Sequence, residues 1–492
     1  MPTEHLDVLI IGAGLSGIGC GFHLQTRCPG KSYAILESRA GLGGTWDLFR
    51  YPGVRSDSDM HTLGYAFRPW PGRNAVADGP SILRYLRETA TEFGIDRKIR
   101  FGHRVVAARW SSLYARWTVD VEPAGGGEIS QLTCGFLLAC TGYYRYDHGY
   151  APPFVGRDDF AGPVVHPQDW PADLDWTGKR VLVIGSGATA VTLVPALVEK
   201  ASHVTMLQRS PTYIVGRPAR DRFAERAHRV LPGRSANSTI RWKNIVRQQI
   251  FYRVSRKWPG FVTGYLHRKL RSQLPAGYDI AQHFTPRYAP WDQRMCVTPN
   301  GELFAAIRAG KASVRTDRID RFTRDGVRLE SGAEIPADII VTATGLTMLM
   351  VGGVKLTVDG AAVRLGDLKT FKGMMLSDVP NFAVTTGYTN ASWTLKTDLT
   401  GTYVCRLLRY MDAHGYRQCV AHDDNPGNGE RPMLDLSSGY VKRSLADLPK
   451  QGARAPWRLK MSYPADLMGL RFGRVTAPAL RFSSPAPTRP ST

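Results

Sequence analysis

The chain has 492 residues, of which 43% are hydrophobic and 22% charged, and a formal net charge of +22. This length allows two or three globular domains, and no apolar run reaches the roughly 18 residues that a membrane span needs. Seven cysteines without a C-x-x-C pair argue against a disulfide framework and a redox dithiol, and the N-terminus lacks a signal-peptide pattern, so we expect a cytoplasmic protein.

The first predicted element is a buried strand that leads into a glycine-rich turn and a helix, in 7-DVLIIGAGLSGIGCGFHLQ-25. Gly12 permits a tight turn, Gly14 lets the backbone approach a pyrophosphate, and Gly17 allows close packing of helix and strand. The next strand ends at Glu37, whose carboxylate can accept a hydrogen bond from a ribose hydroxyl. This order predicts a dinucleotide-binding unit that accepts a free ribose, as in FAD.

A second unit of this kind begins at 180-RVLVIGSGATAVTLVPAL-197. Its predicted cofactor-binding turn comprises Gly185, Ser186, Gly187, Ala188, Thr189, Ala190 and Val191. The second strand of this unit ends in Arg209 and Ser210, where the first unit has an acid. Because an arginine with a hydroxyl neighbour suits a 2′-phosphate, this unit is predicted to bind NADPH.

Basic residues are concentrated in the stretch that follows. Between Arg217 and Arg271 there are 15 Lys or Arg and only two acids, which is more than half of the net charge. Basic amphipathic stretches with interleaved aromatics, such as 241-RWKNIVRQQIFYRVSRKW-258, predict a helical insert. Such an insert could contact anionic lipid or nucleic acid, or it could be a solvated helical face.

Two further predicted strands end in similar short motifs, in 136-FLLACTGYY-144 and 338-DIIVTATGLT-347. Small residues at a strand end allow close approach to a cofactor or a crossing between domains. We therefore predict an α/β fold with two Rossmann-like dinucleotide-binding domains, the second inserted into the first. The predicted parts are the FAD-binding domain (1–150 and 345–474), a linker with the NADP-binding domain (151–212 and 296–344), the basic helical insert (213–295) and a disordered tail (475–492).

The order of GAGLSG, GGTW, F-x-G-x-x-x-H-x-x-x-W, GSGATA and ATG resembles the Baeyer–Villiger monooxygenases, a branch of the flavin-containing monooxygenases. Phe160, Gly162, His166 and Trp170 match the fingerprint of that family position by position. Related N- and S-oxygenating enzymes usually end this motif in tyrosine, so Trp170 favours the Baeyer–Villiger branch. From about residue 4 to about residue 470, segments such as PWDQR, KGMMLS and GYTNASWTLK are similar to the ethionamide-activating subgroup.

The resemblance implies a reaction and its cofactors. NADPH would reduce a bound FAD, the reduced flavin would form a C4a-peroxide with O2, and a ketone would be converted into an ester. Thioethers or thioamides would also be S-oxygenated. The resemblance also implies that His166 lies on a linker, where it holds the domain position rather than attacks the substrate. An N-hydroxylating or purely S-oxygenating flavin monooxygenase stays open as the alternative.

The resemblance assigns two catalytic residues. Arg294 in PWDQR would be the cation beside the flavin, and Asp57 would hold it, although Asp59 lies only two residues away. Arg55 and Ser56 would face the nicotinamide cofactor. Trp393 and Lys396 would reach cofactor or substrate, in a pocket between the FAD domain and the insert. Further FAD contacts are assigned to Ser16, Gly44, Thr45, Trp46, Asp47, Leu48 and Val105.

Other classes of protein fit the sequence less well. Disulfide reductases share two dinucleotide units but need a closely spaced cysteine pair near the first helix, and Cys20 and Cys28 have the wrong spacing. A binding protein that docks on a membrane through the basic insert is a second alternative. The expected partners are a small ketone or sulfur compound and O2. Neither nucleic acid nor a metal ion is expected, peripheral membrane contact stays open, and the oligomeric state is not specified.

Overall fold

The structure is a computed structural model that describes residues 3–425 and 429–485. The strands in these residues are β1 His5–Ile11, β2 Tyr33–Glu37, β3 Ile99–Phe101, β4 His103–Ser111, β5 Arg116–Pro123, β6 Ser130–Ala139, β7 Val164–Val165, β8 Arg180–Ile184, β9 His203–Gln208, β10 Ile214–Arg217, β11 Cys296–Pro299, β12 Ala312–Thr316, β13 Ile319–Thr323, β14 Gly326–Leu329, β15 Glu334–Pro336, β16 Ile339–Thr342, β17 Lys355–Val358, β18 Ala361–Ala362, β19 Thr370–Phe371, β20 Met375–Leu376, β21 Phe382–Val384, β22 Gln418–Ala421, β23 Arg431–Pro432, β24 Lys450–Gln451 and β25 Leu480–Ser483. The α-helices are α1 Leu15–Arg27, α2 Thr45–Leu48, α3 Met60–Leu63, α4 Gly79–Glu92, α5 Ala188–Leu197, α6 Arg222–Val230, α7 Gly233–Lys257, α8 Pro259–Arg271, α9 Ile280–Phe284, α10 Glu302–Arg308, α11 Trp393–Ala413, α12 Gly439–Arg443 and α13 Tyr463–Asp466.

The first domain is built on one large sheet with the strand order β18-β17-β4-β5-β6-β1-β2-β3, and β21 pairs with β6. β1 is parallel to both β2 and β6, whereas β4, β5 and β6 form an antiparallel meander. The central strand carries an apolar run, VLII, which is buried throughout. Helices α1 and α11 pack together over this sheet, so the sheet core is covered by residues from both ends of the chain.

The second domain has a parallel five-stranded sheet in the order β12-β9-β8-β16-β7. All its strands fall between β6 and β17 of the first sheet, so the domain is an insertion within the first domain. The predicted fold class, α/β with two Rossmann-like domains, is confirmed by these two sheets.

The two chain crossings between the domains lie side by side. The amide of Arg145 donates to the carbonyl of Thr347 at 2.9 Å, and the amide of Leu349 donates to the carbonyl of Tyr143 at 2.9 Å. The amide of Tyr150 donates to the carbonyl of Gly345 at 3.0 Å. The outgoing and returning chains therefore form a short antiparallel ladder, which we call the crossing ladder (residues 143–150 and 345–349).

The basic insert is helical, with α6 to α9 between strands β10 and β11, which pair in parallel. The insert thus leaves and rejoins the second domain at one place. Its longest helix, α7, packs against α3 of the first domain and against α6. The described residues contain no helix that is both long and apolar enough to cross a membrane.

The C-terminal segment differs from the prediction. Strand β25 pairs with β22 in antiparallel register, and Leu480 is buried while Val475 and Phe482 pack on the core of the first domain. The prediction of disorder is therefore wrong for residues 475–485, because the alternating apolar residues in ALRF extend the domain by one strand pair. Residues 486–492 of the predicted tail lie outside the described residues.

Candidate functional site

A cavity of about 590 Å³ lies at the carboxyl ends of β1 and β2, which is where parallel sheets bind dinucleotides. Its lining includes most of the residues assigned from sequence to the first cofactor, namely Gly12, Gly14, Ser16, Glu37, Gly44, Thr45, Trp46 and Val105. Gly17, Asp47 and Leu48 do not line it. The backbone of Gly17 lies so close to the turn that a Cβ would stand 1.9 Å from the carbonyl oxygen of Gly12, so Gly17 serves packing.

The turn at the floor of this cavity requires glycine. Gly12 has φ +100°, and a Cβ there would stand 2.8 Å from the carbonyl oxygen of Cys140. Gly14 caps the N-terminus of α1, where unpaired amides favour an anionic group such as a pyrophosphate. The buried carboxylate of Glu37 accepts from the amides of Ala13 at 2.8 Å and Arg39 at 3.0 Å, so it is fixed beside the turn.

Sequence reasoning missed several residues in the wall of this cavity. Arg39 lines the cavity and forms an ion pair of 2.7 Å with Asp47. Asp47 does not line the cavity itself but holds Arg39 in its wall. Residues 143–147 of the outgoing crossing also line it. The one feature of the sequence that pointed to these residues is the aromatic run YYRY, which directly follows the ACTG motif at the end of a predicted strand.

A second, smaller cavity of about 20 Å³ adjoins the first and shares Tyr143 and Trp393 with it. Apart from one arginine, its lining is mainly aromatic and aliphatic: Tyr143, Arg294, Met348, Met350, Thr386, Gly387, Tyr388, Thr389, Trp393, Met433, Leu434, Leu436, Tyr440 and Leu448. The pocket was expected between the FAD domain and the insert. Instead, Arg294 is the only insert residue in its lining, because buried apolar side chains of the insert helices, such as Ile245 and Val262, pack in other clusters.

Arg294 is positioned by a turn that is tied to the distant C-terminal segment. The carboxylate of Asp292 accepts from the amide of Ala289 at 3.0 Å, and its carbonyl accepts from the amide of Ser437 at 2.8 Å. Trp291 in this turn has φ +72°, a strained value for a bulky residue. The turn therefore holds Arg294 opposite the 433–448 segment that lines the small cavity.

The guanidinium of Arg294 faces open space. Its side chain is surrounded by protein but exposed towards the cavity, and it makes no hydrogen bond or ion pair with any described residue. Burial alone would lower the pKa of Arg294, but Tyr143, Tyr440, Tyr144 and Asp57 outweigh it and raise that pKa. Arg294 is therefore a permanent cation with unused donors in the lining of the small cavity.

Asp57 is the acid that acts electrostatically on this arginine. Burial raises the pKa of Asp57 to about 6, although the charges of Arg294, Arg55 and Arg217 lower it. Asp57 and Arg294 are not within ion-pair distance, and Asp57 makes no hydrogen bond to a described residue. The attraction between the Asp57 carboxylate and the Arg294 guanidinium thus acts over more than ion-pair distance.

The neighbouring acid, Asp59, is already fully engaged. It is buried and caps α3, where it accepts from the amide of Thr62 at 3.1 Å. It also accepts from Asn244 at 3.2 Å and Gln248 at 2.6 Å on helix α7. Asp59 therefore joins the insert to the first domain, which leaves Asp57 as the acid with free acceptor capacity.

Arg55 and Ser56, assigned to the nicotinamide cofactor, have partners within the protein. Arg55 forms an ion pair of 2.9 Å with Glu302 at the start of α10, so it spans the two domains. The hydroxyl of Ser56 is buried and donates to the carbonyl of Ser58 at 3.1 Å. The Ser56 hydroxyl is therefore engaged, whereas Nε and Nη2 of Arg55 are buried and make no hydrogen bond with a described residue.

The second glycine-rich turn repeats the geometry of the first. Gly185 has φ +138°, and a Cβ there would stand 2.3 Å from the carbonyl oxygen of Ala343. Gly187 caps α5 with open space around it, while Ala190 and Val191 are buried. The hydroxyl of Ser186 donates to the carbonyl of Ser210 at 3.1 Å. This contact ties the turn to the end of β9, and Ala188 and Thr189 begin the helix beside it.

Arg209 and Ser210 directly follow β9 and are both exposed. The side chain of Arg209 makes no hydrogen bond or ion pair with any residue in the described ranges. It lies beside the glycine-rich turn through the Ser186–Ser210 contact, which is the location that a 2′-phosphate would need.

The fingerprint residues connect the domains. His166 is half-buried, its Nε2 donates to the carbonyl of Gly345 at 3.2 Å, and its Nδ1 accepts from the amide of Gln168 at 3.1 Å. Burial lowers the pKa of His166, although the carbonyl of Gly345 and the charge of Asp169 act against this. The neutral tautomer with the proton on Nε2 therefore fits both contacts.

The other fingerprint residues serve packing. Phe160 is buried in the core of the second domain, and Gly162 is required because a Cβ would stand 2.3 Å from the carbonyl oxygen of Asp338. Trp170 packs edge-on against Trp176 at a ring distance of 5.9 Å. None of these three side chains lines either of the two cavities.

Trp393 and Lys396 have different surroundings. The indole of Trp393 lines both cavities and donates to the hydroxyl of Ser16 at 2.8 Å. Lys396 is buried, lines neither cavity, and forms an ion pair of 2.7 Å with Asp466. The prediction that Lys396 reaches cofactor or substrate therefore finds no support in its position, because that ion pair holds its ammonium group elsewhere.

Comparison with known proteins places the chain among flavoproteins. The family model for flavin-binding monooxygenase-like proteins matches residues 73–351, and a model for an NAD(P)-binding Rossmann-like domain matches residues 10–72. The chain is 56% identical to the FAD-containing monooxygenase EthA of Mycobacterium tuberculosis over 99% of each chain. It is 46% identical to the probable FAD-binding monooxygenase AlmA of Acinetobacter baylyi, over 99% of this chain and 97% of that one.

Solved structures share the fold. A steroid monooxygenase bound to NADP matches 97% of this chain and 99% of its own, with a TM-score of 0.77 and 21% identity. Cyclohexanone monooxygenase from Rhodococcus sp. Phi1, bound to NADP+, matches 86% and 87% of the two chains with a TM-score of 0.71 and 20% identity. With two dinucleotide-type domains, the matching family model and relatives of more than half identity over its whole length, the chain belongs to the flavin-binding monooxygenase-like family of oxidoreductases.

Proposed function

We propose that the chain is a Baeyer–Villiger monooxygenase that uses FAD, NADPH and O2 to convert ketones into esters. The observation that carries the proposal is the placement of Arg294, a cation with free donors in the lining of a small apolar pocket that shares Tyr143 and Trp393 with the large dinucleotide cavity. Oxygen insertion into a ketone develops negative charge on oxygen, and a fixed guanidinium in a dry site stabilises such charge.

The residues of the large cavity fit FAD. The φ +100° turn at Gly12 and the helix N-terminus at Gly14 suit a pyrophosphate, and the fixed carboxylate of Glu37 suits a ribose. The exposed, unpaired Arg209 beside the second glycine-rich turn suits the 2′-phosphate of NADPH. Family membership and the FAD-containing relatives support the same pair of cofactors.

When bound, FAD would accept a hydride from NADPH and supply the reducing equivalents that activate O2. In the overall reaction one oxygen atom enters the bond between the carbonyl carbon and its neighbour, and the other leaves as water, which takes up the hydride equivalent of NADPH and one further proton. The role of the chain is to place the ketone oxygen within reach of Arg294. Asp57 then limits the net charge at the site, because an isolated buried cation would attract water and anions.

The lining of the small pocket favours an apolar ketone, which would enter only after side chains move, because the pocket now has space for little more than one water molecule. Met348, Met350 and Met433 contribute flexible thioether side chains that adapt to different substrate shapes, and leucines and tyrosines complete the wall. Such a lining excludes water from the reacting oxygen. The same oxidant would oxidise the soft sulfur of a thioether or thioamide in this pocket, so we propose S-oxygenation as a second activity.

Isotope labelling tests the proposed reaction. The purified yellow protein is incubated with NADPH, a linear methyl ketone and isotopically labelled dioxygen, and the products are analysed by mass spectrometry. An ester that carries one labelled atom is expected. A labelled sulfoxide from a matched thioether, with no ester from any ketone in a chain-length series, would assign a purely S-oxygenating enzyme. Labelled hydroxylamine from an amine, without either product, would assign the N-hydroxylating alternative.

A further inference from the structure

The junction between the two longest helices of the insert exposes apolar side chains. Ile250 is 57% exposed, Trp258 is 53% exposed and Phe261 is 72% exposed. Helix α7 ends at Lys257 and α8 begins at Pro259, so these three side chains lie within three turns of each other along the chain. Exposed apolar clusters rimmed by charge are typical of interaction sites.

Cations share the exposed face of α7 with this apolar cluster. Ile250, Arg253 and Lys257 follow a spacing of three and four residues, which places them on one helical face. Arg253 is exposed and forms no ion pair with a described residue, and the ammonium of Lys257 lies 4.8 Å from the centre of the Trp258 ring. We define the α7–α8 corner by Ile250, Arg253, Lys257, Trp258 and Phe261.

The charged side chains on helices α7 and α8 have one sign, although Arg256 of α7 forms an ion pair with Asp292 outside them. Helices α7 and α8 together contain ten Lys or Arg and no Asp or Glu. Several of these cations, including Arg247, Arg268 and Arg271, are exposed and have no ion-pair partner among the described residues. A partner that complements this surface must therefore be anionic where it meets the arginines and apolar where it meets Ile250 and Phe261.

We propose that the α7–α8 corner docks the protein on the surface of an anionic phospholipid membrane. Aromatic and aliphatic side chains would enter the boundary between headgroups and acyl chains, and the flanking cations would pair with lipid phosphates. The phosphates of a nucleic acid could pair with the cations equally well, but a nucleic acid offers no apolar environment in which the side chain of Ile250 could be buried. This inference is independent of the proposed reaction, because it concerns a face that contributes no residue to either cavity.

Vesicle flotation of the full-length, FAD-loaded protein tests the proposal at physiological salt. Binding is expected on vesicles of phosphatidylcholine that contain phosphatidylglycerol and not on pure phosphatidylcholine. Phe261→Glu and Ile250→Glu are each expected to lower the partition coefficient about tenfold or more. The double variant Arg253→Gln/Lys257→Gln is expected to lower it roughly tenfold or more as well, since each surface cation contributes independently.

Matched controls carry the same chemical changes elsewhere. Val155→Glu alters another exposed apolar residue, 65% exposed, and Arg84→Gln/Arg97→Gln removes two exposed cations from the first domain. These variants should float like the wild type, and flavin absorbance confirms that every variant is folded.

Three results would overturn the proposal. The first is equal binding to vesicles with and without phosphatidylglycerol, or binding that the corner variants retain. The second is binding to a nucleic-acid duplex but not to vesicles, which would assign the cations to that partner. The third is a dimer in solution that Phe261→Glu dissociates, which would show that a second copy covers the corner.

Discussion

The imidazole of His166 donates through Nε2 to the carbonyl of Gly345 at 3.2 Å, and the same carbonyl accepts from the amide of Tyr150 at 3.0 Å. The linker histidine thus bonds to the crossing ladder at the point where the chain returns to the first domain. His166 lines neither cavity, so we predict that it influences the reaction through the relative position of the domains.

Replacement of His166 by alanine is expected to uncouple the two half-reactions while FAD stays bound. The ratio of oxygenated product to NADPH consumed should fall several-fold, because the loss of both backbone contacts loosens the ladder without touching the cofactor cavity. Product and hydrogen peroxide are measured against NADPH oxidation. His414→Ala, at an exposed position outside the crossing ladder and both cavities, is the control, and purification of the His166 variant without flavin would contradict the expectation.

Arg294→Ala is expected to separate reduction from oxygenation. Flavin reduction by NADPH, followed in a stopped-flow spectrophotometer without oxygen, should change little, whereas ester formation should fall by about a hundredfold or more. The reason is that the guanidinium would stabilise charge that appears only during oxygen transfer. Arg287→Ala removes an exposed arginine seven residues away and should keep both rates. An alanine variant that still makes ester would remove Arg294 from the proposed role.

Asp57→Asn should stabilise the protein in alkaline buffer. The pKa of Asp57 is about 6 in the fold and 3.8 in its ordinary state, so between these values the folded protein binds more protons than the unfolded chain. Its contribution to stability is therefore present below 3.8 and is lost as the pH rises through 6. At about pH 8 the variant should gain about 3 kcal/mol over the wild type, and at about pH 4 almost nothing.

Denaturant unfolding at the two pH values measures this difference. Asp59→Asn is the matched comparison, and it should destabilise the protein at both, because Asp59 accepts hydrogen bonds from Thr62, Asn244 and Gln248. A destabilising effect of Asp57→Asn in alkaline buffer would contradict this expectation. It would mean that the neighbouring cations stabilise the Asp57 carboxylate by more than burial destabilises it.

Arg209→Ala should change cofactor preference. The KM for NADPH is expected to rise at least about tenfold, and the KM for NADH to change little, because only NADPH has the 2′-phosphate that a guanidinium can bind. Steady-state oxidation of both cofactors gives the two values. Arg324→Ala, another exposed arginine of the second domain, is the control. Equal weakening of both cofactors would mean that the 2′-phosphate is bound elsewhere.

The features that sequence predicted well depend on short-range backbone chemistry. Gly12 and Gly185 have positive φ values that other residues rarely adopt. Glu37 ends strand β2, which pairs in parallel with the strand that leads into the first glycine turn. Each of these features can be predicted from a sequence window of about thirty residues. The placement of two such units also predicted the insertion of one domain into the other.

The features that sequence missed depend on contacts between distant segments. One part of the wall of the small pocket comes from residues 433–448. These residues are held near Arg294 by the hydrogen bond between Ser437 and Asp292, which hydrophobic periodicity cannot predict. The ion pair of buried Lys396 with Asp466 also joins segments that are far apart in the sequence. The same holds for strand β25, whose partner strand lies some sixty residues earlier. Pairing over such distances is fixed by packing and not by local pattern.

The side-by-side arrangement of the two crossings has a consequence for how the domains can move. Two adjacent strands that are bonded to each other resist independent movement, and the ion pair of Arg55 with Glu302 also joins the two domains. The ends of the two crossings also meet, since the amide of Tyr150 donates to the carbonyl of Gly345. A short linker in place of residues 151–344 would therefore close the first domain on itself, and the flavin-binding half could be produced as a separate protein.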